Sequence, residues 1–572
     1  MADEEVVKTD LLIVGAGPAG ASLACFLAAH VMAGEEFARV YSWGHDPKHK
    51  VRNRGCLCYT PNPQSTNPQS TPNIIPCPRT NTHAGRLRSS QSMQPRRPPA
   101  NTSRAHLDQE AVHKGWSLRF NTRFVRLTRP SPEVVISEVF DDITKRTYKI
   151  QSRYLFGCDG ARSQVVRELG IPLIKKPGQG LALNVLVRAV MSHIMENRIG
   201  NLHWVFRPEE MDPPPWGWAA VARMVRPWNE WMFIFLPAPG ADVTADAMNA
   251  SDDEYLARVS EFIGDDSVKV ELLHVSKWWV NEIVAEYYSD GNVFCFGDAT
   301  HRHPPFNGLG SNTCIQDAFN LAWKIDYVMS GKAGPALLDS FNAERQPVGA
   351  AIIARANQGL RDHMHWQQTL GMLEPDKATR LSILAELDDA TSAVGRARRQ
   401  AFQAAIEATT TEYHGLGIEM NQRYVSRAVY HDHSHNKEEG LLLLPPPTEP
   451  EDPVKTHVVT TYPGCRVPHV WVNTRVPGKR VSTIDLVGKG RFCLLTGPGG
   501  AGWKEAARIA AYSIGWKQDY EDVYFDWARK REVEEDGCVL VRPDRFVAWR
   551  CKGMVEDPVG RLEEVMRSVL AL

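Results

Sequence analysis

Between Pro47 and Leu107 the sequence has no aspartate and no glutamate. At the chain's average acidic content about seven would be expected there. The same stretch holds ten Lys or Arg, nine prolines after Pro47, and the direct repeat NPQSTNPQST from Asn62 to Thr71. A proline-rich segment with so few apolar residues cannot bury enough surface to offset chain entropy, which predicts disorder. Its basic residues lack amphipathic spacing, which argues against a helix lying on a membrane or on nucleic acid.

Other absences narrow the class. No run reaches the roughly 18 uninterrupted apolar residues of a spanning helix, so no membrane partner is expected. The N-terminus opens Ala2-Asp3-Glu4-Glu5, acidic where a secretory leader would be basic. Net charge is −1, from 66 basic and 67 acidic residues, which argues against a nucleic-acid binder. The 11 cysteines include no CxxC, and the Cys56/Cys58 pair has no second pair at metal spacing, so no metal site is expected there. These features read as a cytoplasmic enzyme with reduced thiols. At 572 residues it should fold as two to four domains.

What is present begins near the N-terminus. The apolar run Leu11 to Val14 leads directly into Gly15-Ala16-Gly17-Pro18-Ala19-Gly20 and an Ala-rich helical stretch to about Ala29. This is strand, glycine turn, helix. Gly15 permits the tight turn, Gly17 lets the backbone approach a diphosphate, and Gly20 lets helix pack on strand. The helix N-terminus then offers free N–H groups and a positive dipole to phosphates. The ligand is FAD or NAD(P), and the motif alone does not choose.

Two later segments favour FAD. Arg153 to Phe156 reads as a strand running into GCDGARS, with an Asp159-Gly160 turn. A second buried strand, Val293 to Phe296, ends in Gly297-Asp298, where a carboxylate could accept hydrogen bonds from ribityl hydroxyls. His301-Arg302-His303-Pro304-Pro305 follows, then the loop Gly308-Leu309-Gly310-Ser311-Asn312 and a helix from about Cys314. That helix N-terminus could stabilise negative charge on a reduced flavin.

These segments resemble the class A flavoprotein monooxygenases that include phenol and dichlorophenol hydroxylases. The resemblance implies an α/β architecture: a Rossmann-like FAD-binding domain (8–171 and 291–345) with an inserted β-sheet substrate domain (172–290). A helical region (346–442) and a C-terminal thioredoxin-like α/β domain (454–572) would follow. By the same resemblance Asp298 binds ribityl oxygens, Pro305 lines the reactive edge of the flavin through its backbone, and Gly308 to Asn312 hold the isoalloxazine. Asp159 and Gly160 supply the Asp-Gly motif. It also implies bound FAD, NADH or NADPH as transient co-substrate, O2, a small aromatic substrate and a homodimer joined through the C-terminal domain. A flavin monooxygenase of polyketide biosynthesis on the same fold is the alternative, since substrate choice lies in pocket shape.

Oxygen transfer needs a dry pocket. Residues 172–290 carry strand-like aromatic runs, Leu202 to Phe206, Trp216-Gly217-Trp218 and Trp231 to Phe235, most of which should pack sheet against helix. Phenol activation needs an acceptor near the hydroxyl. His301 and His303 are candidates by proximity to the flavin loop, with Tyr287 and Tyr288 behind them. The His-rich patch His431 to His435 lies in a polar run before the Pro445–Pro453 hinge and reads as solvated loop. In the C-terminal part, Arg491 to Leu495 and Cys538 to Val541 read as strands.

One element is missing. A dinucleotide fold needs a second strand ending in an acidic residue about 20 residues beyond the glycines. Glu35 and Glu36 stand at that distance with no strand before them. In the resembled family a segment like GEEFARVYSWG lies well downstream of that strand. A block carrying the ribose-binding acid and an arginine directed at the flavin is therefore absent near His30–Val31. A faulty gene model, with a skipped exon and then out-of-frame or intronic translation of about 51–104, accounts for both defects together. A specialised or catalytically impaired enzyme with a disordered insert is the competing reading.

Overall fold

The computed structural model describes residues 6–30, 38–41, 111–112, 116–176, 180–196, 202–205, 216–237, 249–374, 376–430, 447–476, 478 and 480–572. The basic repeat stretch, Glu35, Glu36 and the His431–His435 patch lie outside them.

The central element is a six-stranded sheet ordered Ser289–Asp290, Val293–Cys295, Tyr154–Gly157, Leu11–Val14, Ala38–Tyr41, Ser117–Arg119. All neighbouring pairs are parallel except the first. Leu11 to Val14, Tyr154 to Gly157 and Val293 to Cys295 are buried throughout, as parallel strands covered on both faces must be. Their common direction brings their C-terminal ends, and the loops that follow, to one edge. Helix Pro18–His30 packs against helix Gly310–Met329, with Phe26 and Phe319 rings 5.1 Å apart. Both helices start earlier than the sequence suggests. The first begins at Pro18, since proline fits the first position of a helix, and the second at Gly310, with Leu309 already in the right-handed helical region.

The place beside Leu11–Val14 is taken by Ala38–Tyr41, paired in parallel register from Leu11↔Ala38 to Val14↔Tyr41. A strand therefore does follow the first helix. It runs into Ser42-Trp43-Gly44, so no acid stands just beyond its end.

The inserted domain is a five-stranded sheet ordered Leu202–Val205, Ala219–Arg226, Glu230–Leu236, Leu181–Ala189, Val270–Trp279, antiparallel throughout. Along Leu181–Ala189 and Glu230–Leu236 one face is fully buried. Leu183, Val185, Trp231, Phe233 and Phe235 pack there with Tyr255, Val259 and Phe262 of helix Asp252–Ile263. The other face is only half-buried at Asn184, Leu186, Met232 and Ile234. Trp216-Gly217-Trp218 is not a strand. The Arg258 guanidinium takes the Gly217 carbonyl (3.0 Å from Nε), and pairing with the sheet begins at Ala219.

The boundary expected at 345/346 falls inside one continuous helix, Asp339–Thr369. Its first turns face the FAD-binding region through Phe341, Glu344 and Arg345. Its last turns reach the inserted sheet, where the Trp366 and Trp204 rings are 5.5 Å apart.

The C-terminal sheet is ordered Ala510–Ser513, Cys493–Thr496, Cys538–Val541, Val547–Cys551, the first pair parallel and the others antiparallel. With helices Ala501–Ala506 and Pro558–Val569 it gives the expected thioredoxin-like arrangement. It does not stand apart beyond a hinge. Phe492 lies against Trp323 and Tyr327 of helix Gly310–Met329, at 5.6 and 5.8 Å between rings, within one shared apolar core.

Buried charge crosses that seam. Arg542 donates to both Glu344 oxygens (2.5 and 2.8 Å) and to Asp544 (2.6 Å), and Lys324 Nζ lies 2.7 Å from Glu344. Burial would raise the Glu344 carboxyl, but Arg542 and Lys324 outweigh it and hold Glu344 below its ordinary value. Burial brings Lys324 down to about 8.

Candidate active site

The three strand-ending loops converge at the C-terminal edge of the parallel sheet. Gly15 has φ +105°, and a Cβ there would lie 2.2 Å from the Cys158 carbonyl oxygen, at the start of the Asp-Gly turn. A Cβ on Gly20 would lie 2.0 Å from the Gly15 oxygen, so this helix can approach the strand only without a side chain. At Gly17 a Cβ would meet nothing within 4 Å among the described residues. That is the space a diphosphate would need against bare backbone. Ala16 and Ala19 are buried under the turn.

The Gly297 turn ties the first and third segments together. It has φ +66°, and a Cβ there would stand 2.9 Å from Ala19 Cβ and 3.1 Å from Cys314 Sγ. The next residue, Asp298, is exposed and makes no side-chain hydrogen bond among the described residues. Its carboxylate is open to hydroxyl donors, which fits a ribityl chain. In the following loop Asn307 (φ +61°) and Gly308 (φ +63°) are both left-handed, and the Gly308 N–H closes a turn onto the Pro305 carbonyl at 3.2 Å just before helix Gly310–Met329. Pro305, Gly308, Ser311 and Asn312 are exposed there, Gly310 half-buried and Leu309 buried beneath. Asn312 Nδ2 donates to the Gly308 carbonyl at 2.8 Å and braces the loop. These features fit an FAD along this edge.

Asp159 does not face the groove. It is buried and accepts from Ser163 Oγ (2.5 Å) and the Gln164 N–H (2.6 Å), capping helix Gln164–Glu168. Burial raises its carboxyl despite these donors. Its part is to hold the turn at Gly160 (φ +78°), beyond which a Cβ would meet open space.

His301 is not placed as a base facing substrate. It is 1% exposed, with Nε2 2.8 Å from Asp317, whose other oxygen accepts from Arg345 Nε at 2.7 Å. Its pairing with Val284 turns the ring inward. Tyr288 is fully buried beneath it, 6.1 Å away between rings. His303 is half-buried on the loop, its Nδ1 2.7 Å from the Pro304 carbonyl. Burial pushes its imidazole below the ordinary value. Neutral, it donates from Nδ1 and leaves Nε2 as an acceptor.

Sequence reasoning missed Asp317, Arg345, Arg302 and the His363–Glu412 pair (2.8 Å), with the Trp204 ring tilted against His363 at 4.4 Å. The available signal was charge inside an apolar helical run. Asp317 in CIQDAFNLAW marks a buried ion pair rather than a solvated face.

Two family models match: an FAD binding domain over residues 63–356 and the C-terminal domain of aromatic-ring hydroxylases over 460–571. A 2,4-dichlorophenol 6-monooxygenase of Delftia acidovorans is 35% identical, with 99% of each chain covered. The chain belongs to the FAD-dependent aromatic-ring hydroxylases. A phenol 2-monooxygenase of Pseudomonas sp. (strain EST1001) is 32% identical to this hydroxylase over 99% of it and 93% of the relative. The solved structure of the flavin-dependent monooxygenase PieE, in complex with FAD and substrate, matches it with TM-score 0.80 and 32% identity over 99% of both chains. The Delftia alignment runs over 601 residues while this hydroxylase has 572, so the relative carries residues absent here. No helix among the described residues is long and apolar enough to cross a membrane.

Proposed function

We propose that this hydroxylase inserts one atom of O2 into the ring of a phenol or closely related aromatic, oxidising NAD(P)H and releasing the other oxygen atom as water. The observation that carries the reading is the meeting of the Gly15, Asp159 and Gly297 turns at one sheet edge, with the exposed Asp298 carboxylate ahead of the exposed Gly308 loop. Bound FAD would supply the two-electron and oxygen chemistry. The diphosphate would lie on Gly15 to Gly20, Asp298 would accept from the ribityl chain, and the Gly308–Asn312 loop would hold the flavin ring, with the N–H groups of its helix start directed at it. The half-buried sheet face at Asn184 and Ile234, with Trp204 across from Phe306 (6.2 Å), would cover the substrate and exclude water.

His303 Nε2 is the acceptor we assign to the phenolic proton. Its depressed pKa keeps it unprotonated at neutral pH, so its acid limb lies below its ordinary value of 6.5. Turnover should fall as pH drops through that limb, and His303→Gln should flatten it, which a pH–rate profile reads.

The direct test is the purified full chain. A yellow protein absorbing near ~450 nm, as flavoproteins do, with NAD(P)H oxidation stimulated by phenol or 2,4-dichlorophenol and a hydroxylated product, meets the expectation. A colourless protein that ignores added FAD sinks it. That outcome would favour the impaired-enzyme reading, which the residues missing relative to the Delftia protein support.

We also assign a cytoplasmic homodimer. The dimer's support is the exposure of Trp516, Tyr524 and Phe525 on the C-terminal domain, at 75%, 70% and 67%. Light scattering should give twice the monomer mass, and Trp516→Glu with Phe525→Glu should halve it.

A further inference from the structure

Arg302 is a half-buried cation that forms no ion pair among the described residues. It follows the buried His301 in strand His301–Arg302 and projects to the opposite side. Its Nε donates to the Asp298 carbonyl at 3.0 Å and its Nη2 to the Ala299 carbonyl at 3.3 Å. Both partners are neutral backbone atoms. The carboxylates of Asp298 and Asp159 act on it from a distance, and among the described residues neither forms an ion pair with it. A guanidinium removed from water and left unpaired is costly unless an anion completes it. Two backbone carbonyls fix its plane and leave its remaining N–H groups free, a geometry suited to phosphate oxygens.

Its position is equally specific. Asp298–Ala299 is the turn wedged between the starts of helices Pro18–His30 and Gly310–Met329, and Asp159 belongs to the neighbouring strand end. Phosphates arriving here would meet the exposed Asp298 carboxylate. We propose that Arg302 binds a diphosphate oxygen of a dinucleotide at this edge, supplying the cation that balances Asp298 beside it. This rests on the flavin reading above. The diphosphate belongs to bound FAD or to incoming NAD(P)H, and the two are separable by experiment.

The test uses the full chain, stripped of flavin, as wild type, Arg302→Gln and Arg302→Lys. FAD and riboflavin affinities are read by flavin fluorescence, and NADPH and NADH affinities by calorimetry on the FAD-loaded forms. A charge-assisted contact of this kind corresponds to roughly a ten- to hundred-fold change in Kd. If FAD weakens that much in Arg302→Gln while riboflavin, which lacks the diphosphate, does not, the contact is to FAD. If FAD is unchanged and NADPH or NADH weakens, it is to the nicotinamide dinucleotide. Arg302→Lys should recover part of the loss in either case. Unchanged affinity for all of them overturns the proposal. So does parallel loss of FAD and riboflavin in both variants, which would make Arg302 a brace for the Asp298 turn. Wild-type protein that takes up no FAD would instead defeat the underlying flavin assignment.

Discussion

Glu344→Ala should destabilise the protein by about 3–5 kcal/mol, because it leaves Arg542 and Lys324 buried with too little compensating charge. Glu344 is 1% exposed and is the carboxylate to which Arg542, Lys324, Asn320 and Ser426 all donate. Its donors come from the flavin-edge helix, the C-terminal sheet and the segment between them, so the loss should loosen all three together. Urea denaturation followed by tryptophan fluorescence reads it directly, since Trp323 and Trp549 flank the seam. The exposed pair Arg126–Glu138 is the control: Glu138→Ala should cost under ~1 kcal/mol. The pH sign is fixed by the lowered Glu344 carboxyl. Its contribution is present above the ordinary value of 4.5 and is lost as pH falls below it. The alanine variant should lack that part of the acid sensitivity. A variant with an unchanged urea midpoint would show that the network adds nothing to stability.

Gly15→Ala should weaken FAD binding by at least roughly a hundred-fold and lower stability as well. A left-handed alanine costs of order 1–3 kcal/mol, and its Cβ would sit 2.2 Å from a backbone oxygen that cannot swing away. Gly17→Ala separates the two effects. Nothing among the described residues lies within 4 Å of that Cβ, so folding should be unaffected while the methyl group occupies the diphosphate's space. Thermal melts of the flavin-free forms and flavin-fluorescence titrations measure both. Equal FAD affinity in Gly17→Ala and wild type would place the diphosphate elsewhere.

The glycine turn, the Asp-Gly turn and the Gly-Asp loop were legible in the chain because each is a local solution. A left-handed residue or a close approach demands glycine at fixed spacing from a strand end. The same locality exposed the defect after the first helix, where acid and strand stand in the wrong order. Side-chain direction was not legible. His301 and His303 are two residues apart in sequence. One is locked inward by Asp317 and the other lies on the loop, and only the pairing of His301 with Val284 across a three-stranded sheet decides which. Asp159 could have faced either the cofactor or the next helix, and the free N–H groups of Gln164 and Val165 drew it to the helix.

By itself the sequence determined the family, the flavin and the order of the motifs, since these rest on short segments whose backbone geometry is nearly independent of the rest of the chain. The tertiary structure decided which charges are buried together. The Glu344–Arg542 seam joins residues 198 positions apart, and the Asp317–Arg345 pair 28. An ion pair removed from water exists only once the surfaces around it have closed, and no local pattern in the chain records which surfaces those will be.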